Sequence, residues 1–145
     1  MLHLSFQFEN FILQKAHGDK FNPQINTMHH NKLTGNKGEE LAQAYLQQKG
    51  YEILECNWRY GHWEVDIIAA KEKMLYFFEI KTRTSDRFGH PEESISRKKM
   101  QNLRNAAEQY RQLYPQWKYL QFNVLAIIMQ FGKPVEFFML EDVYF

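Results

Sequence analysis

The clearest signal along the chain is a change in hydrophobic period. Leu41, Ala42, Tyr45 and Leu46 recur at helical spacing and Gly50 supplies a stop, which predicts an amphipathic helix over residues 37–49. Three strand-like runs follow. Tyr51–Arg59 contains Tyr51, Ile53 and Leu54, Trp63–Ala70 contains Val65, Ile67 and Ile68, and Met74–Thr82 is nearly continuous from Leu75 to Ile80. Gly61 marks the first turn, and the charged Lys71-Glu72-Lys73 tip predicts a hairpin between the second and third runs. Residues 94–113 return to helical spacing. Ile95, Leu103, Ala106, Ala107, Tyr110 and Leu113 form one face, with Ser94 as N-cap and Pro115 as terminator. A strand over Leu120–Met129 then turns through Gly132-Lys133-Pro134 into another over Val135–Leu140. The predicted order is helix, three strands, helix, strand, strand. Strands this apolar predict an α/β domain whose sheet is covered on both faces.

Residues 1–34 lack this regularity. They are expected to form a poorly ordered N-terminal extension before a domain at 35–145; the alternative is that translation begins at Met28 and residues 1–27 are not part of the native protein. His29 and His30 read as a solvated tail, because no third metal ligand is near. A chain of 145 residues has room for one core. The aromatic content of 16% can fill it. The single cysteine, Cys56, excludes an internal disulfide framework, and no apolar run is long enough to span a membrane. No signal peptide is recognisable, so a soluble, cytoplasmic protein is expected.

Charge changes this picture where it interrupts apolar strands. Asp66 lies within Val65-Asp66-Ile67-Ile68, and Glu79 and Lys81 break the run Tyr76–Lys81. Burying an ion costs several kcal/mol, roughly, unless it is paired or put to use. Strand alternation puts Glu79 and Lys81 on one face and Ile80 on the other. If the hairpin pairs as predicted, Asp66 sits beside Glu79. Two carboxylates and an ammonium suit phosphodiester hydrolysis. The carboxylates, with the Ile80 carbonyl as a further donor, hold Mg²⁺ or Mn²⁺, and the lysine positions water or phosphate. The competing reading is a solvated strand edge whose charges only stabilise one another.

Several motifs occur together: Gly35-Asn36-Lys37-Gly38-Glu39-Glu40-Leu41-Ala42, Asn57-Trp58-Arg59, Glu64-Val65-Asp66-Ile67-Ile68-Ala69, Phe78-Glu79-Ile80-Lys81-Thr82-Arg83 and Phe88-Gly89-His90-Pro91-Glu92. In combination, and with the later spacing of Ile95, Lys99 and Leu103, they resemble the bacterial YraN-type family from about Gly35 onward. That family is similar to the archaeal Holliday-junction resolvases and other PD-(D/E)xK nucleases. The resemblance implies a restriction-endonuclease-like core, αβββαβ, with a mixed central sheet flanked by helices. It also implies Glu39 as a further acidic member of the site, DNA more than RNA as partner, and a homodimer by analogy with the resolvases. The alternative for Glu39 is helix N-terminal charge favoured by the macrodipole. This chain departs from the family pattern at Trp63, where a glycine is usual, and at Gln121-Phe122-Asn123, where Arg-Phe-Asp is common.

The net charge of +1 does not by itself point to nucleic acid. Between positions 81 and 104, however, Lys81, Arg83, Arg87, Arg97, Lys98, Lys99 and Arg104 outnumber Asp86, Glu92 and Glu93, for a local charge of +4. Arg83 and Lys99, which match the family pattern, are the expected phosphate contacts. Trp58, His62 and Trp63 read either as stacking groups for bases or as core and rim residues. Three functions therefore stay open: a metal-dependent endonuclease, a non-catalytic nucleic-acid-binding accessory protein on the same fold, and a structural or protein-interaction domain.

Overall fold

A computed structural model describes residues 19–20, 35–84 and 96–143. The expectations for the N-terminal extension, apart from Asp19 and Lys20, lie outside the described residues, as do those for Met28, His29, His30, Arg87, Phe88–Glu92, Ser94 and Ile95. The elements are β1 (Asp19–Lys20), α1 (Gly35–Gln48), β2 (Glu52–Tyr60), β3 (Trp63–Lys71), β4 (Met74–Arg83), α2 (Arg97–Leu113), β5 (Tyr119–Ile128) and β6 (Glu136–Leu140). Apart from the two-residue β1, this is the predicted order.

The strands form one mixed sheet in the order β1-β6-β5-β4-β3-β2. β2, β3 and β4 run as an antiparallel meander, β4 and β5 pair in parallel, and β5, β6 and β1 pair antiparallel. A parallel pair needs a crossover, and α2 lies on it between β4 and β5. Each helix covers one face. Leu41, Ala42, Tyr45 and Leu46 of α1 pack with Ile67, Ala69, Phe78, Leu125 and Ile127. Met100, Leu103, Ala106, Ala107 and Tyr110 of α2 pack with Val65, Ile68, Leu75, Phe77 and Val124. Adjacent residues such as Phe77 and Phe78 thus enter opposite cores, and the strands are apolar on both sides for that reason.

Two glycines, one in α1 and one just past its end, act through different physics. Gly50, at φ +87°, closes the helix, with the Tyr51 amide donating to the Leu46 carbonyl at 3.0 Å. Gly38 lets the first turns of α1 lie directly on β4, since a Cβ there would fall on the Thr82 hydroxyl.

α2 differs from expectation at both ends. Its N-cap is Ser96, at φ −71° and ψ 152°, whose hydroxyl accepts the Lys99 amide at 3.1 Å, so the helix starts after Ser96 and Ser94 is not its cap. Leu113 is 52% exposed, because the buried stripe starts at Met100 and ends one turn earlier, at Tyr110. No helix of the described residues is long and apolar enough to cross a membrane.

Candidate active site

The site arises where two paired strands part. The β3–β4 ladder runs from Lys71↔Met74 to Ile67↔Phe78 and stops there, whereas β4 stays paired to β5 as far as Arg83↔Ile128. Beyond Phe78, β4 has lost its partner on one side. The Ile80 amide turns to a side chain instead, donating to Asp66 Oδ2 at 2.8 Å. β3 also breaks its alternation at this point. Ile67 faces α1, yet Val65 packs on the α2 side. Opposite Asp66, between the pairs Cys56↔Ile67 and Trp58↔Val65, stands Asn57 with φ +51°. Asparagine tolerates that left-handed backbone better than most residues.

β4 itself alternates as the sequence predicts. Ile80 packs against the α1-side core, and Glu79 points to the α2 side, where it meets Lys99. The Glu79 side chain is only 3% exposed, and its Oε1 receives the ammonium of Lys81 at 3.0 Å and that of Lys99 at 3.3 Å. Its Oε2 is buried and has no hydrogen-bond partner among the described residues. A carboxylate oxygen buried without a donor is costly; among the described residues Asn123 Nδ2 is likewise buried and unpartnered, but it is a neutral amide.

Asp66 is half-buried beside it. Burial, and then the negative charge of Glu79, push its pKa up to about 6, with Glu39 adding to the rise. The Ile80 amide and the Lys99 ammonium pull the other way. The negative charge of Glu79 thus opposes the ionisation of Asp66, a condition that a bound cation relieves. Glu39, on the first turns of α1 seated by Gly38, accepts a 2.7 Å hydrogen bond from Asn57 Nδ2. Glu39 thus borders the pair from the helix side.

The donor set is hard oxygen, the chemistry Mg²⁺ and Mn²⁺ select. Together with the orphaned Oε2, it fits a divalent ion held by Asp66 and Glu79. Among the described residues no group of three acidic, histidine or cysteine side chains is arranged to hold a metal. The set here is two carboxylates with Glu39 engaged nearby by Asn57.

Of the predicted phosphate contacts, Lys99 lies in the site itself on Glu79, and Arg83 closes β4, its carbonyl accepting the Met129 amide at 2.8 Å. Trp58 and Trp63 pack against the α2-side core, as their core-and-rim reading has it. Gln121 and Asn123 form a neutral pair at 3.0 Å. Strand alternation places Asn123 on the α1 face with Leu125 and Ile127, away from Glu79. Asn57, Gly38 and Thr82 stand in the sequence as members of the shared motifs, with no role of their own assigned there. Their signal is conformational, a left-handed backbone and a close helix–strand approach, and no charge or hydrophobic pattern reports it.

Comparison with known proteins adds relatives along most of the chain. The sequence model of a family described as "Uncharacterised protein family UPF0102" matches residues 38–127. The chain is 41% identical over 104 residues to a UPF0102 protein of Syntrophomonas wolfei, a match covering 71% of this chain and 90% of that protein. It is 41% identical over 104 residues to one of Bacteroides thetaiotaomicron (72% and 85%). A third, from Rhodococcus opacus, is 36% identical over 118 residues (81% and 100%).

Proposed function

The chain belongs to the UPF0102 family, and from that premise we propose that it is a metal-dependent endonuclease of the PD-(D/E)xK kind that hydrolyses phosphodiester bonds in DNA. One observation carries the reading: a buried glutamate with an oxygen unpartnered among the described residues, set between an aspartate and two lysines where β3 and β4 separate. The succession from α1 through β5 supports it, because helix, three strands, helix, strand is the order of a restriction-endonuclease-like core.

Asp66 and Glu79 would hold Mg²⁺ or Mn²⁺, with the Ile80 carbonyl as a further donor. The chemistry such an ion supplies when bound is a lowered pKa for its water and neutralisation of charge on the phosphate oxygens. The chain's own residues do the rest. Lys81, anchored on Glu79, directs its ammonium to the attacking water or to a non-bridging oxygen of the scissile phosphate. Lys99 brings a second cation from α2, and Arg83 extends the positive track along β4. Asp66 keeps its orientation through the Ile80 amide, and Glu39 through Asn57.

The test is cleavage of labelled duplex, single-stranded and four-way-junction DNA, with RNA alongside, in Mg²⁺, Mn²⁺ or EDTA. Product that requires metal and falls by about a hundredfold or more in Asp66→Asn and in Lys81→Ala is the expected result. A folded wild type that yields no product on any substrate would overturn the proposal, as would cleavage that survives both substitutions.

A second reading, a non-catalytic nucleic-acid-binding accessory protein, has one observation in its favour. Oε1 of Glu79 is already occupied by two ammoniums, and no third ligand completes the set among the described residues. It predicts salt-sensitive binding without metal-dependent product.

A further inference from the structure

Beyond Asp66, β2 and β3 continue to the Gly61-His62 turn, and their α2-side face carries rings. Trp58 pairs with Val65 and Tyr60 with Trp63 across the hairpin, so these side chains share one face. The Trp58 and Tyr60 rings lie 14° from parallel with centroids 6.2 Å apart, and Tyr60 and Trp63 lie 20° from parallel at 6.4 Å. Trp58 is fixed from below by an edge-on contact with Tyr110 of α2 at 5.2 Å. Packing accounts for Trp58 and Trp63, which lie against the α2-side core. It does not account for Tyr60, which is 44% exposed yet aligned with both neighbours.

The strip lies close to the carboxylate site. Trp63 is three residues before Asp66, a separation of about 10 Å along an extended strand. At the carboxylate site the first turn of α2 brings exposed Arg97 and Lys98, followed by Lys99 on Glu79, whereas Trp58 meets the same helix near its other end, at Tyr110. Cations at the carboxylate site and an exposed ring, Tyr60, aligned with two half-buried neighbours further along the hairpin match the two halves of a nucleotide, phosphate and base. In a duplex the base faces are stacked on one another, so such a surface selects unpaired bases.

We propose that Trp58, Tyr60 and Trp63 form a stacking platform for the unpaired bases of a single-stranded DNA segment, which runs from the platform across Asp66, Glu79 and Lys81. The inference rests on the nuclease reading for its ligand class, but its test reads binding alone.

A fluorescein-labelled oligothymidylate and a duplex of equal length are titrated in EDTA and followed by anisotropy, with tryptophan emission recorded in parallel. The wild type binds the single strand with quenching of tryptophan emission. Tyr60→Ala, checked for folding by thermal melting, binds it about tenfold more weakly. Tyr60→Phe keeps the ring and keeps the affinity, and duplex affinity is the same in all three proteins. A single strand that the wild type does not bind, or binds without quenching, would overturn the platform. So would a folded Tyr60→Ala with wild-type affinity, or an equal loss on single strand and duplex. Tyr60-dependent binding with no metal-dependent product retains the platform and removes the nuclease reading. Metal-dependent product with binding indifferent to Tyr60 does the reverse.

Discussion

The two ends of the β3–β4 pair are built from the same strands and obey opposite rules. From Lys71↔Met74 to Ile67↔Phe78 the ladder is continuous, and Ile67, Ile68, Ala69, Leu75, Phe77 and Phe78 are buried in the two cores. Past that point the ladder stops, and Asp66, Glu79 and Lys81 take the positions that apolar side chains would otherwise hold. The first end is stabilised by packing and by mutual backbone hydrogen bonds. At the second, an amide is satisfied by a carboxylate, a left-handed Asn57 stands opposite, and a buried oxygen has no donor among the described residues. Stability concentrates at one end of the strand pair, and unmet chemical demand at the other. Natural proteins tolerate such a local conflict where a site requires it.

Breaking the packed end gives the largest effect. Phe78→Ala removes a fully buried ring that meets Tyr51 edge-on at 5.3 Å, and destabilises the fold by about 3–5 kcal/mol in chemical denaturation. A loss under about 1 kcal/mol would show that this end does not carry the stability assigned to it.

Gly38→Ala probes the seam between the two regimes. Its methyl group meets the Thr82 side chain, so α1 or that side chain must shift, at a cost of about 1–3 kcal/mol. A shift of α1 moves Glu39 away from Asn57, and metal-dependent cleavage is expected to fall along with stability. Full stability in this variant, measured by denaturant titration, would mean that the helix relaxes there freely.

The open end gives the smallest effect and the opposite sign. Asp66→Asn removes one of two opposed carboxylates and is expected to raise stability by about 1 kcal/mol at pH 7.5. The folded pKa of Asp66, about 6, lies above its ordinary 3.8, so the fold holds the proton where the unfolded chain has lost it. The penalty is absent below about pH 4, grows as pH rises toward 6, and is complete above that. Thermal melts from pH 4 to pH 8 should therefore show wild type and variant converging at the acid end. A variant less stable than wild type at pH 7.5 would favour the reading in which these residues serve only as a stabilising charge network.

Most of the fold was legible because hydrophobic period is a local property. The helix of Leu41, Ala42, Tyr45 and Leu46 and the strands around Val65, Phe77 and Leu125 appear within a residue or two of their expected bounds. Where two local signals compete, the outcome is decided by contacts further off. Ser94 and Ser96 are equivalent as sequence, and the helix starts at the serine whose hydroxyl meets the Lys99 amide. Leu113 fits the helical stripe, but the stripe meets the sheet only as far as Tyr110.

The candidate site divides along the same line. The sequence by itself determined that Asp66, Glu79 and Lys81 interrupt apolar strands, and that Glu79 and Lys81 share a face opposite Ile80, because charge and strand alternation are written residue by residue. Only the tertiary structure decided that β3 and β4 part at Ile67 and Phe78, that Lys99 crosses from α2 to the same carboxylate as Lys81, and that Gly38 seats α1 on Thr82 with Glu39 bonded to Asn57. Those features depend on distances between segments far apart in the chain, which no local pattern encodes.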